Sequence, residues 1–325
     1  MFNTKKVFME NKIIGTCNDK ERSAYIMPHK CENSACGFGL TINKAENEHK
    51  YKVFHCEFKS EESIINDLLA EDIINMSADE FIKMLREASK AVPPNHSKAV
   101  FKRCKSKLQE CSFSGPLQVV RVNTSTACNI KCKFCDITSA KPIYPEEKLL
   151  YFNILEKLRD GKPHLNYLQL TGDGEPFVYK KDTLDYIATL NPDVCKRFVI
   201  FTNCTLLNPE DIEFIYNMQE KNKIKVQIMC SCSAITPETY KEIHRNDNFY
   251  KVVENIKLIN KYDMLQNINF VITPDNLHEL SMYKQFWLEN GVEKISATVI
   301  HDYCWPGATK FVYDSNEYKQ FIGMC

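Results

Sequence analysis

Three of the chain's 15 cysteines stand close together, Cys128, Cys132 and Cys135, in the run Cys-Asn-Ile-Lys-Cys-Lys-Phe-Cys. Thiolates separated by four and then three residues can surround a small metal cluster from one loop. Iron–sulfur clusters are ordinarily held by four cysteine thiolates, so three leave one iron without a protein ligand. An open metal position is where chemistry takes place, whereas structural sites are closed. A zinc loop, or three cysteines adjacent by chance in a cysteine-rich chain, are the competing readings of the same spacing.

Other polar and glycine-rich segments end predicted strands. In Thr171-Gly-Asp-Gly-Glu-Pro176, Gly172 and Gly174 let the backbone approach a ligand closely, and Glu175 offers a carboxylate to an ammonium group. Thr202-Asn203-Cys204 ends a second strand, and Cys230-Ser-Cys-Ser233 ends a third, with Arg245 on the helix after it. Strand alternation that turns Ser231 inward turns Cys230 and Cys232 to the opposite face, where free cysteine packs as a small hydrophobe. Alternation also groups Arg121 with Asn123, Tyr167 with Gln169 and Thr171, and Ser296 with Thr298. Polar side chains in an apolar interior need partners, which substrate, water or neighbouring side chains supply equally well. His244 and His301 read as ordinary helix-surface and strand-end residues.

The elements that must position these residues are strands alternating with helices from Leu117 onward. Predicted strands are 118–123, 167–171, 197–202, 225–231, 267–273 and 294–300. Helical patterns cover 146–159, 209–221, 237–244, 250–261 and 277–289. Six βα units in series argue for parallel strands wrapped by helices. Functional groups in such folds gather at the carboxyl ends of the strands, where the cysteine run also falls. Residues 1–116 have another texture: Cys17, Cys31, Cys36 and Cys56 among short strand-like runs, then a helical pattern through Ile64–Leu69. Ser77 with Glu80 reads as a capping box opening a second helix, which Pro93-Pro94 ends.

The cysteine run, with Phe134 just before its last cysteine, resembles the cluster-binding loop of the radical S-adenosylmethionine (SAM) superfamily. The resemblance implies an α/β fold, a partial (βα)6 radical SAM barrel over 117–303, beside a smaller cysteine-containing α+β N-terminal domain over 1–116. It implies a [4Fe–4S] cluster on Cys128, Cys132 and Cys135 and a SAM site using Phe134, Gly172, Gly174, Glu175, Asn203, Ser231 and Arg245. Glu175 would meet the amino group of SAM, Ser231 its ribose and Arg245 its carboxylate. Asp173 between the glycines is a variant of the Gly-Gly-Glu-Pro form, and Cys204 stands where relatives often carry glycine. Asn276 and Glu279 also match a recurrent pattern, Asn276 as a turn-tying residue. One electron from the reduced cluster would cleave SAM to methionine and a 5′-deoxyadenosyl radical that abstracts hydrogen from a C–H bond. No acid–base triad is expected.

Cys304-Trp-Pro-Gly307 resembles the bridge into the cysteine-rich SPASM or twitch extensions of members that modify peptides and proteins. The further cysteines of such extensions are missing, so residues 304–325 read as a shortened or vestigial start, or as partners of N-terminal cysteines. Cys17, Cys31, Cys36 and Cys56, with Cys104 and Cys111, are candidates for an auxiliary cluster or zinc, against scattered buried thiols. The resemblance implies a peptide or protein substrate and an electron donor such as flavodoxin or ferredoxin. A methyltransferase or nucleotide-modifying member, and a non-enzymatic iron–sulfur or zinc scaffold, are the alternatives. The 42 basic and 42 acidic residues cancel, so no whole-molecule field favours nucleic acid or an anionic membrane. With no apolar run of spanning length and no signal-peptide pattern, a cytoplasmic location is expected.

Overall fold

The computed structural model describes residues 39–44, 51–54, 70–88, 119–123, 127–135, 145–171, 174–300 and 306–324. The predicted boundary near residue 116 and the cysteines at 17, 31, 36, 56, 104, 111, 304 and 325 lie outside them. So do His301, Pro93-Pro94 and the pattern through Leu69. The chain forms two compact units, one of Met1–Ser125, Tyr144–Gly172 and Thr189–Phe198, the other of Thr126–Ile143, Asp173–Ala188 and Val199–Cys325.

In the first unit, β1 (Gly39–Lys44) and β2 (Tyr51–Phe54) form an antiparallel hairpin. β1 pairs in parallel with β3 (Val119–Asn123), and β3 pairs in parallel with β4 (Leu165–Thr171). Helices α1 (Ala70–Asn75), α2 (Ala78–Ala88) and α3 (Pro145–Gly161) complete it. The predicted capping box opens α2. Ser77 N and Oγ donate to Glu80 Oε2 at 2.8 and 2.7 Å, and Glu80 N donates to Ser77 Oγ at 3.2 Å. Phe81 and Leu85 of α2, Tyr151, Ile154, Leu155 and Leu158 of α3, and Val120 and Val122 of β3 are fully buried. Their spacing gives each element one apolar face. Gly161 permits the contact of α3 with α2, since a Cβ there would lie 2.5 Å from Cγ1 of Ile82.

The second unit carries α4 (Lys180–Thr189), entered through a 3-10 turn at Pro176–Tyr179, and the end of β5 (Cys195–Thr202), which crosses the boundary. Then follow α5 (Pro209–Asn222), β6 (Lys225–Ser231), α6 (Pro237–His244), α7 (Phe249–Lys261), β7 (Leu265–Ile272), α8 (Leu280–Glu289) and β8 (Ile295–Val299). Two short helices, α9 (Ala308–Asp314) and α10 (Asn316–Met324), close the described chain. Its strands lie in the order β5-β6-β7-β8, with β6 to β8 parallel, as the strand–helix alternation predicts. The helix expected over 277–289 divides: Leu277–Glu279 is a 3-10 turn and only the remainder is α-helical. Both Asn276 and Glu279 turn their side chains back toward the β6–α6 loop, which tightens that first turn. Among the described residues, no helix is long and apolar enough to cross a membrane.

Candidate active site

The cysteine loop is fixed at both ends by main-chain hydrogen bonds. Glu175 N donates to Ala127 O at 2.9 Å, and Lys133 N donates to Ile243 O, at the end of α6, at 2.8 Å. Within the loop, Cys135 N donates to Cys132 O at 3.1 Å, closing a turn between the last two cysteines. A side-chain chain adds a second brace at the Cys128 end. Asn129 Nδ2 donates to Thr205 Oγ1 at 2.7 Å, and Asn203 Nδ2 donates to Asn129 Oδ1 at 3.0 Å and to Cys128 Sγ at 3.9 Å.

None of the three thiols is in a disulfide, and all are partly exposed. Burial raises the pKa of Cys128 and pushes that of Cys132 far higher, and the charges of the neighbouring thiols add to both effects. Among the described residues no three His, Cys, Asp or Glu side chains converge on a single-ion position. One zinc ion would draw three sulfurs to about 2.3 Å from a common point. Three thiols on one loop are a donor set of the kind that holds iron–sulfur clusters.

Glu175 sits beneath the loop, 2% exposed. Its Oε1 accepts Thr202 Oγ1 at 2.7 Å and Phe177 N at 3.1 Å, and its Oε2 accepts Asn203 N at 2.7 Å. The bond to Phe177 N makes Glu175 the N-cap of the 3-10 turn. Burial pushes its carboxyl up to about 7 against the lowering effect of those bonds. An ionised carboxylate has about four lone-pair sites, so three protein donors leave one for a ligand ammonium.

At the end of β6, Ser231 is half-buried, while Cys230 and Cys232 are fully buried, as alternation predicts. Burial pushes the Cys232 thiol up to about 12, which marks it as inert packing. Arg245 caps α6 in the left-handed region at φ 50°, is exposed, and its charge acts on Cys132. Cys204 also adopts the left-handed region, at φ 60°, and is buried. Glycine meets that φ without strain, so Cys204 holds a backbone conformation that its Cβ disfavours.

Asn276 ties its turn as expected: Oδ1 accepts Thr273 N at 2.7 Å, and Nδ2 donates to Ser233 O at 2.8 Å and Val271 O at 2.9 Å. Glu279 accepts Ile235 N at 2.7 Å and the Thr236 hydroxyl. The paired strand polars find protein partners. Ser296 Oγ donates to Ile268 O at 3.1 Å, Thr298 Oγ1 donates to Asn269 Oδ1 at 3.3 Å, and the Arg197 guanidinium lies 3.9 Å from the Tyr167 ring centroid. Gly174 is half-buried. Gly172 and the side chains of Arg121, Asn123 and Thr171 lie outside the described residues.

One expectation is overturned. His244 is not a helix-surface residue but is 1% exposed, and burial lowers its pKa to about 3. Its Nδ1 lies 3.1 Å from Cys132 Sγ, and its Nε2 accepts Ser233 N at 3.0 Å. Phe134 stands edge-on to its ring at 5.8 Å between centroids, and Tyr240 covers the ring at 4.5 Å. The available signal was Tyr240 with His244 at i and i+4 beside Ile243, one continuous buried face of α6. Lys133, paired with Asp275 and with Glu242 at 3.3 Å, is a further brace unread in the sequence.

The model of the family described as the Radical SAM superfamily matches residues 122–286. Among curated proteins, the chain is similar to a probable GTP 3′,8-cyclase of Saccharolobus islandicus strain Y.N.15.51, 27% identical over 193 residues, 58% of this chain and 59% of that protein. The corresponding protein of Sulfurisphaera tokodaii is 27% identical over 194 residues, 58% of each. The chain thus spans under two-thirds of the length of the curated relatives it matches. Among solved structures, anSMEcpe with bound AdoMet and Cp18Cys peptide is 20% identical, covering 57% of this chain and 51% of that one, with a TM-score of 0.42. HydG, a maturase of the [FeFe]-hydrogenase, is 12% identical, covering 71% and 50%, with a TM-score of 0.37.

Proposed function

Because the chain belongs to the radical SAM superfamily, we propose that it is an enzyme that cleaves SAM reductively at Cys128, Cys132 and Cys135 and removes a hydrogen atom from a bound substrate. The observation that carries this reading is the placement of three thiols, none of them in a disulfide, on one loop tethered by main-chain hydrogen bonds. Cys128, Cys132 and Cys135 would hold a [4Fe–4S] cluster, and the chemistry that group would supply there is the one-electron reductive cleavage of SAM. The chain's own residues bind and orient. Asn203 donates to Cys128 and, through its main chain, to Glu175, so one residue links the cluster loop to the carboxylate. The lone-pair site left on Glu175 suits the SAM ammonium, the exposed Arg245 its carboxylate and Ser231 its ribose.

Two substrate classes have support. Resemblance of Cys304-Trp-Pro-Gly307 to the bridge of peptide-modifying members supports a peptide or protein side chain. The printed activity of the curated relatives supports a nucleotide. An electron donor of the flavodoxin or ferredoxin type completes either reading.

Anaerobic reconstitution with iron and sulfide, then dithionite and SAM, tests the core of the proposal. Wild-type protein should yield 5′-deoxyadenosine and Cys132→Ala none. A full, reducible cluster that neither binds nor cleaves SAM would leave only a scaffold. Adding GTP in parallel separates the substrate classes: faster 5′-deoxyadenosine formation with a new nucleotide product selects the nucleotide, and an unchanged rate rejects GTP.

A further inference from the structure

His244 is buried, lies outside the SAM-binding set and is used by no step above, yet both its ring nitrogens are engaged. Nε2 faces the Ser233 backbone N–H at 3.0 Å. A backbone N–H can only donate, so Nε2 must be the acceptor and carries no proton. A neutral imidazole with a bare Nε2 carries its proton on Nδ1. That nitrogen lies 3.1 Å from Cys132 Sγ. The main chain of β6's trailing loop therefore selects the tautomer that aims an N–H at one cluster-binding sulfur. The imidazolium form is excluded by the same bond, because two donors would meet at Nε2.

We propose that His244 is a positioning residue that donates an Nδ1–H hydrogen bond to the Cys132 thiolate and thereby raises the reduction potential of the cluster. The inference rests on the radical SAM reading of the three cysteines. One-electron reduction adds a negative charge to the cluster and its sulfurs, with dithionite as donor in the test below. A donor aimed at a ligand sulfur stabilises the more negative state, and hydrogen bonds to sulfur are among the determinants of these potentials. Burial strengthens the effect, since little water competes and the local dielectric is low. Rigidity is supplied from three sides: Phe134 against the ring edge, Tyr240 over its face, and Lys133 N bonded to Ile243 O next door.

Two measurements on the reconstituted full chain test this. In the first, wild-type protein labelled with 15N-histidine is reduced with dithionite and examined by pulsed EPR. A 15N coupling to the cluster is expected, and it should disappear in His244→Gln if His244 is its source. In the second, midpoint potentials are measured by EPR-monitored titration of His244→Leu and His244→Gln. His244→Leu, which has no donor, should lower the equilibrium constant for reduction about tenfold, about 59 mV for a one-electron couple. His244→Gln, which keeps an N–H, should fall between it and wild type. An unlabelled-like spectrum from labelled wild type, or an unchanged potential in a fully loaded His244→Leu, overturns the proposal. If His244→Leu loads no cluster, the wild-type coupling decides alone. Failure of the wild type to assemble a cluster would instead overturn the radical SAM reading.

Discussion

Glu175 and Asn203 are joined by a 2.7 Å hydrogen bond from the Asn203 main chain to the Glu175 carboxylate. The same asparagine's side chain reaches Cys128. Carboxylate and thiol are thus two ends of one residue's bonding, and disturbing the carboxylate must be felt at the loop. Glu175→Ala leaves the Asn203 and Phe177 amides without their acceptor in a buried site, each at a cost of about 1–3 kcal/mol. Urea unfolding should show a loss of roughly 3 kcal/mol or more, and SAM affinity should fall with it. A variant of wild-type stability would mean that water or a neighbour replaces the carboxylate.

Burial raises the Glu175 carboxyl from 4.5 to about 7. The unfolded chain releases this proton near 4.5, so the group's stabilising contribution is complete below that pH and is lost as pH rises through about 7. Glu175→Gln has no such proton. The unfolding free energy of wild type relative to Glu175→Gln should therefore decline by on the order of 3 kcal/mol between pH 4.5 and 8. A difference that stays flat over that range would show the carboxyl ionised throughout.

Asn276 uses its amide for three main-chain partners at 2.7, 2.8 and 2.9 Å and is fully buried. Asn276→Ala should cost about 2–4 kcal/mol. Asn276→Asp cannot donate and turns a negative charge toward two carbonyls, so it should cost at least as much. Thermal unfolding of the two variants ranks them directly; an aspartate variant more stable than the alanine one would contradict the bonding described.

For Cys204 two effects oppose. Glycine would relieve a left-handed backbone, worth about 1–2 kcal/mol, and would remove a small buried side chain of similar value. Cys204→Gly should thus lie within about 1 kcal/mol of wild type by denaturant titration. A loss well beyond that would assign the thiol a role outside packing.

Iron loading distinguishes the thiols by position. Single serine substitutions at Cys128, Cys132 or Cys135 should each lose most of the iron and labile sulfide after reconstitution. Cys230→Ser and Cys232→Ser should retain wild-type contents, since both side chains are fully buried. Iron loss at Cys230 would place it among the ligands and break the alternation argument.

Much of this was readable in sequence where local patterns and tertiary demands agree. Lys225–Ser231 is a strand over the expected residues, and Ser77 with Glu80 caps a helix as its spacing requires. Side-chain partners were harder, because they depend on which loops meet. Nothing in the order of residues says that three protein donors consume most of Glu175, or that Ser233 presents its amide to His244. His244 is polar and ends a helix, so sequence position alone argues for the surface; the tertiary partners Cys132 and Ser233 reverse that. Similarly, the two-part course of 277–289 follows from Asn276 and Glu279 bonding backward across a loop, a contact with no local signature.

The loop's two end tethers, at Ala127 with Glu175 and at Lys133 with Ile243, join main-chain atoms only. Any residue but proline supplies the same amide, and every residue supplies the carbonyl. The tethers themselves therefore do not depend on which side chain stands at 127, 133 or 243, even though Ala127 and Ile243 are buried and Lys133 pairs with Asp275. A proline arriving at 133 or 175 would erase a tether outright. The scaffold thus holds the loop through its backbone, so its anchorage asks for amides at 133 and 175 rather than for particular side chains.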